Sequence, residues 1–383
     1  MTIPKDATTA VPLVDLRAQY RTIQDEVTAA IDRVLERQAF VGGPETVAFE
    51  QEFAAFCEAR YCVALSSGTA ALELVLEALG IGPGDEVVTV SHTFVATVAA
   101  IMRTGATPVF VDVEHESWTM TPELVADAVG PRTKAVVPVH IYGHPADVPA
   151  IAAAAPGIPI VEDAAQAHGA RYHGRAVGRD AAAACFSFYP GKNLGAYGDA
   201  GAVTTSDREL AERLRLLRDH GRSGGKYEHV VAGTNARIDE VQAAILRVKL
   251  GHLRRWTRAR QRLSALYEVG VELPDVQLQI VQPWAEHARH LFVLLHERRD
   301  QLRDTLRAQG IDAGVHYPIP VHLQEAVRGG RCRVPKNGLP VTEHVAETCL
   351  SLPLYPELGA AGVARVVEAV RALLRVPVTH LAV

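Results

Sequence analysis

Cysteine is scarce in this chain: Cys57, Cys62, Cys185, Cys332 and Cys349 are odd in number among 383 residues and widely spaced, and none falls in a CxxC pair. That usage excludes a disulfide framework and a cysteine zinc site, and no metal is expected. Long apolar runs are also missing. No segment approaches the roughly 18 residues of a membrane span. The opening stretch MTIPKDATTAVPLVDL has no positive region followed by an apolar core, so a cytoplasmic protein without an export signal is expected. Positive charge is not in excess: 39 Lys plus Arg stand against 44 Asp plus Glu, a formal charge of -5, which argues against nucleic acid as a partner. There is no solenoid-period repeat and no low-complexity tract. No GxGxxG turn follows the first expected strand, so a nicotinamide site of that type is excluded.

What is present is an ordinary globular composition, 48% apolar and 22% charged, in a chain long enough for two packed units, with disorder expected only at the ends. From about residue 60 to 205, β-branched runs alternate with helix-like stretches, the pattern of an α/β protein built on a parallel sheet. Seven strands are expected, at 61–65, 86–90, 107–113, 134–139, 158–163, 184–188 and 201–205. DRELAERLRLLRDH and DEVQAAILRVKLGHLRRWTRARQRLSALY then carry apolar residues three and four apart, as amphipathic helices do. Past about residue 270, a strand at 290–295, a helix over RDQLRDTLRAQG and a terminal helix near 361–375 suggest a smaller α+β unit. The expected division is 1–250 for the large domain and 251–383 for the small one.

Three segments carry chemistry. SSGTAAL (66–72) follows a strand and opens a helix, leaving the N–H groups of Thr69 and Ala70 at a helix N-terminus that suits a phosphate; Ser and Thr there also serve as plain caps. Asp163 ends an apolar strand, and in an open parallel sheet such strand ends face the ligand crevice. A carboxylate in that place needs a cation, or else it caps the next helix. Lys192 sits in FSFYPGKNLGAYGDAGA (186–202), a Pro- and Gly-rich loop after a strand, the kind of setting that holds a functional side chain. Desolvation there lowers a lysine pKa, which a nucleophilic amine requires.

Taken with FVGGPETVAFEQEFA (40–54), GIGPGDEVVTVSHTFVAT (80–97), VEDAAQAHGA, GTNARIDEVQAAIL (233–246) and GVHYPIPVHLQ (314–324), these segments resemble the DegT/DnrJ/EryC1/StrS family, the sugar aminotransferases of fold type I that use pyridoxal 5'-phosphate (PLP). The resemblance covers nearly the whole chain in family order. It implies that Lys192 is the Schiff-base lysine and proton carrier, and that Asp163 pairs with the pyridine nitrogen. It places Gln166 at the phenolic oxygen and Phe94 on the ring face, although a Phe is more often core. Ser187 joins Thr69 and Ala70 at the phosphate, and Asn235 reaches the phosphate of the second subunit in a homodimer with shared sites.

The residue before the lysine, often Ser or Thr in relatives, is Gly191, and Ala200 stands where Gly is common; neither change removes a catalytic group. Dehydratases of the family carry His at the lysine position, so Lys192 implies amine transfer. The HYPIP segment resembles members that aminate C3 of a nucleotide-linked keto sugar, with an amino acid, L-glutamate by family habit, as donor. His316, Tyr317 and Arg237 are the substrate-binding candidates, and His322 is a weaker one. Alternatives are a 4-keto sugar, a 3-keto uronic acid, a keto cyclitol, or a non-catalytic PLP-binding regulator.

Overall fold

The computed structural model describes residues 10–329 and 332–374. Residues 1–9 and 375–383, where disorder is expected, lie outside that range.

All seven expected strands form: β1 (Tyr61–Leu65), β2 (Glu86–Val90), β3 (Thr107–Val111), β4 (Thr133–Val137), β5 (Val161–Asp163), β6 (Ala183–Ser187) and β7 (Gly201–Thr205). They pair in the order β1-β7-β6-β5 and β3-β2-β4. Parallel bridges Val136↔Ile160 and Val139↔Asp163 join the two ladders into one sheet. Pairing is parallel except around β7, which runs antiparallel to both β1 and β6. EVVTV in β2 is buried at every position, as a strand covered on both faces must be.

Alternation along β1 divides the packing. Val63 and Leu65 pack with Leu72, Val75 and Leu76 of α3 (Gly68–Ala78) and with Leu210, Leu214 and Leu217 of α5 (Arg208–Leu217). Cys62 and Ala64 face Phe49 and Phe53 of α2 (Pro44–Phe56) and Leu246 of α6 (Glu240–Gly270). Each fully buried Val, Leu or Phe contributes about 1.5–3 kcal/mol, so both helical layers are firmly attached. Helix α4 (Val95–Arg103) follows β2 and adds Ala100 and Ile101 to the first layer.

Helix α6 is 31 residues long, about 46 Å at the α-helical rise, and position 250, the expected division between two units, falls inside it. Its second half meets another packing centre. There Leu263 and Tyr267 join Leu302 and Leu306 of α7 (Arg299–Ala308), and Val366 and Val370 of α8 (Gly359–Leu374). An antiparallel sheet of β8 (Gln277–Leu278), β9 (Phe292–Leu295) and β10 (Cys349–Leu352) backs this centre.

One contact ties the start of α6 to the start of α2. Helix α2 opens at Gly43, which has no side chain to cap it, and Glu240 of α6 does so instead. Its Oε1 accepts from the N–H groups of Gly43 and Thr46, and its Oε2 from that of Glu45, all at 2.9 Å. A carboxylate at a helix N-terminus satisfies orphan donors and opposes the helix dipole.

Candidate active site

At the carboxyl ends of β1, β5 and β6 the chain encloses a cavity of about 560 Å³. Thr69, Phe94, Asp163, Gln166, Ser187 and Lys192 all stand on its wall. His316 and Tyr317 close it from the segment before β10. Eight of the eleven residues expected in the site are therefore brought to one space.

Asp163 is buried, and each carboxylate oxygen has a donor: the Ala165 N–H reaches Oδ1 at 3.1 Å, and Thr97 Oγ1 reaches Oδ2 at 2.7 Å. Thr97 Oγ1 lies 2.7 Å from Thr93 Oγ1, so a proton from Thr93 frees that of Thr97 for the acid. Lys192 shares the cavity wall with it. Burial pushes its ammonium down to about 8, and the Asp163 charge opposes the shift. The loop holding it is tight: the Lys192 N–H reaches the Tyr189 carbonyl and the Ala196 N–H the Phe188 carbonyl, both at 2.8 Å.

Gln166 is oriented from both ends. Its Oε1 accepts from the Tyr142 N–H at 2.5 Å, so its Nε2 must face the other way, where it donates to the Tyr317 hydroxyl at 3.1 Å. Tyr142 adopts a left-handed φ of 60, uncommon for a non-glycine residue, and its hydroxyl donates to the His316 carbonyl. His316 is tied by Nδ1 to Ser351 Oγ at 2.8 Å; burial, with the Lys192 charge second, pushes it down to about 4 and keeps it neutral. Burial, reinforced by the Asp163 charge, pushes the Tyr317 phenol above its ordinary range. Phe94 is 54% exposed, which rules out a core role, and its ring centroid lies 5.6 Å from that of Tyr317.

The N-terminus of α3 closes tightly on β6. A Cβ at Gly68 would sit 2.6 Å from Ser187 Cβ, so the glycine is what lets the helix start approach the Ser187 hydroxyl. Ala70, expected at the phosphate, stands at the same helix start. Its N–H is not free but donates to Ser67 Oγ at 3.1 Å, and the residue is off the cavity wall.

Two further residues are not brought to the cavity of their own chain. Asn235 is exposed, in an antiparallel bridge with Asp219. Arg237 is half-buried and paired with Asp219, Nη1 to Oδ1 at 2.5 Å. His322 is buried elsewhere, between Ser91 Oγ at 2.8 Å and Glu343 Oε1 at 3.2 Å.

Sequence reading missed Thr97, Tyr142, Arg260 and His290. Thr97 lies in the TFVAT segment, where a polar residue one turn after Phe94 was available as a signal. Arg260, in the second half of α6, lines the cavity while Nη1 donates to the Leu354 carbonyl at 2.7 Å. Nothing in its helical pattern distinguishes it from the arginines around it.

Residues 21–371 match the model of the DegT/DnrJ/EryC1/StrS aminotransferase family. A dTDP-3-amino-3,4,6-trideoxy-alpha-D-glucose transaminase of Streptomyces venezuelae is 50% identical over 367 residues, 95% of this chain and 96% of the relative. The crystal structure of S. venezuelae DesV, in complex with a ketimine intermediate, superposes with a TM-score of 0.93 at 50% identity, covering 97% of this chain and 100% of that one. NtdA from Bacillus subtilis, with bound cofactor PMP, superposes with a TM-score of 0.88 at 29% identity, covering 97% and 87%.

Proposed function

The chain belongs to the DegT/DnrJ/EryC1/StrS aminotransferase family, and we propose that it moves an amino group from an amino acid, L-glutamate by family habit, to C3 of a nucleotide-linked keto sugar, a dTDP-3-keto-6-deoxyhexose. The observation that carries this reading is the shared wall of Lys192, Asp163, Gln166 and Ser187 around one cavity. The cofactor is pyridoxal phosphate, which when bound supplies an electron-withdrawing ring conjugated to the carbon that carries the amine.

The residues fit that group. Asp163, buried with both oxygens oriented, holds a proton on a ring nitrogen. Lys192, whose ammonium burial pushes down to about 8, would hold the cofactor through its amine and would move a proton at the neighbouring carbon. Gln166 has a second Nε2 hydrogen to offer the phenolic oxygen, because Tyr317 takes the first. Phe94 covers a ring face. Thr69 and Ser187 receive the phosphate beside the close approach at Gly68. Asn235 completes the phosphate site of a second copy of the chain, as its exposure allows. Arg237 accompanies it toward the substrate of that copy, and His316 and Tyr317 contact the sugar or donor.

The net reaction is an exchange. The amino acid leaves as its 2-oxo acid, and the sugar carbonyl leaves as an amine, in two half-reactions of a ping-pong cycle. The choice of C3 is supported by the named 3-amino sugar of the 50% identical relative. Purified protein incubated with glutamate and a panel of 3-keto and 4-keto nucleotide sugars, with mass detection and regiochemistry by NMR, tests it. A 3-amino product is expected, and an exclusively 4-amino product would overturn the assignment. A homodimer in the cytoplasm is part of the same proposal; among the described residues no helix is long and apolar enough to cross a membrane.

A further inference from the structure

Tyr142, a few residues beyond β4, is fully buried, and every polar group it carries is committed. Its N–H donates to Gln166 Oε1 at 2.5 Å, its carbonyl accepts from the His290 N–H at 2.9 Å, and its hydroxyl donates to the His316 carbonyl. His92 Nε2 lies 2.8 Å from the same hydroxyl. A carbonyl only accepts, so the one phenolic proton goes to His316, and the hydroxyl oxygen must accept from His92. Burial, with the Asp112 charge opposing, pushes His92 down to about 4, so the imidazole is neutral at physiological pH and carries its proton on Nε2.

These contacts close a circuit. From the Tyr142 N–H it runs to Gln166 Oε1, across the amide to Nε2, and on to the Tyr317 hydroxyl at 3.1 Å. It continues through Tyr317 to the preceding residue and returns from the His316 carbonyl to the Tyr142 hydroxyl. The His316 imidazole is held separately by Ser351, so Tyr142 acts on the backbone there. The turn that carries Tyr142 suits this contact. Its φ of 60 is unfavourable for a tyrosine, and such a value persists where surrounding contacts over-determine it. Gly143, at φ 99, lets the turn press against Gln166, since a Cβ there would sit 2.9 Å from the Gln166 carbonyl oxygen.

We infer that Tyr142 is a positioning residue: through this circuit its hydroxyl sets the Tyr317 side of the cavity and, with it, the direction in which Gln166 presents its second Nε2 hydrogen. The inference rests on the proposed function, in which that hydrogen meets the phenolic oxygen of pyridoxal phosphate. The two Nε2 hydrogens lie in the plane of the amide. Once Tyr142 fixes the oxygen end and Tyr317 takes the first hydrogen, the second has one direction left. Release of the Tyr142 hydroxyl frees the His316 carbonyl, and with it the acceptor that orients the amide.

Two substitutions open the circuit at different points, Tyr142→Phe and Tyr317→Phe, made singly and together in full-length protein loaded with pyridoxal phosphate and without substrate. Gln166→Ala serves as the reference. The readout is the pH midpoint of the visible absorbance of lysine-bound cofactor. A donor to the phenolic oxygen favours the deprotonated form of the bound cofactor, so its loss raises the midpoint. Each single variant should raise it by about 0.7 unit, a fivefold change in the protonation equilibrium, and the double variant by no more than about 0.3 unit beyond either. An unshifted Tyr142→Phe, an unshifted Gln166→Ala, or shifts that add in the double variant overturn the inference. A role in packing alone would lower the unfolding midpoint and leave the spectroscopic one in place. Tyr142→Phe strands the His92 N–H, whereas His92→Leu with Tyr142→Phe removes both buried partners and serves if the single variant does not fold. The same rise is expected of it, and an unchanged midpoint overturns the inference. Wild type that shows no visible band with pyridoxal phosphate overturns the functional reading and this inference with it.

Discussion

Thr97 Oγ1 donates to Asp163 Oδ2 at 2.7 Å, joining the first turn of α4 to the end of β5. The acid at the centre of the cavity is thus aimed by a residue from a different crossover. A hydrogen bond to a charged group is worth about 1.5–3 kcal/mol. Thr97→Val, nearly isosteric but without the hydroxyl, should therefore lower kcat by about tenfold or more and weaken cofactor retention, read by steady-state kinetics and by absorbance after dialysis. Unchanged values for both would show that Asp163 does not depend on Thr97.

Lys192→Ala should abolish the visible absorbance of lysine-bound cofactor and all turnover, while far-UV circular dichroism and the unfolding midpoint stay close to wild type. The side chain belongs to a loop held by backbone hydrogen bonds of Tyr189 and Phe188, not to a packing cluster. Full activity in this variant would refute the assignment of the lysine.

At Gly68 the available space is the testable quantity. Gly68→Ala places a methyl 2.6 Å from Ser187 Cβ, so either α3 or β6 must shift. Overpacking of this kind costs about 1–3 kcal/mol, which should appear as a loss of cofactor affinity of about tenfold in a fluorescence titration. Unchanged affinity in Gly68→Ala would show that the close approach of α3 to Ser187 does not shape the phosphate site.

Glu240 is a stability residue with no part in the chemistry. Glu240→Ala strands the N–H groups of Gly43, Glu45 and Thr46 at the start of α2, and each buried unsatisfied donor costs about 1–3 kcal/mol. Denaturant titration should show a loss of at least about 2 kcal/mol, whereas Glu240→Gln, which retains one acceptor oxygen, should lose less.

Lys249 makes the stability of the protein depend on alkaline pH. It is 1% exposed, donates to the Gly195 carbonyl and lies 4.8 Å from the Tyr197 ring centroid. Burial, partly opposed by Glu357, pushes it from 10.5 to about 8. Between those values the unfolded chain binds more protons than the folded one, so stability rises with pH. Below about 8 both states are protonated and the full cost of the buried charge is felt. Wild type should therefore gain stability relative to Lys249→Met between pH 8 and 10.5, measured by urea unfolding across that range. A difference independent of pH would mean that the lysine is not desolvated.

The sequence by itself determined the seven strands, the amphipathic helices, and the candidacy of Lys192 and Asp163, because these are written in local patterns: β-branched runs, three-and-four spacing, a Gly- and Pro-rich loop, a carboxylate at a strand end. Position 250 was less legible as a division, since an amphipathic pattern runs unbroken through α6. Tertiary structure alone decided which side chains serve which. Thr97 and Asp163 are 66 residues apart, and Gln166 and Tyr317 are 151, separations that no periodicity encodes. It also removed Ala70 from the free donors and put Asn235 and Arg237 away from their own cavity. The physical reason is the same throughout. Backbone conformation follows from neighbouring residues, whereas the partner of a buried polar group is whatever acceptor or donor the packed elements bring within about 3 Å of it.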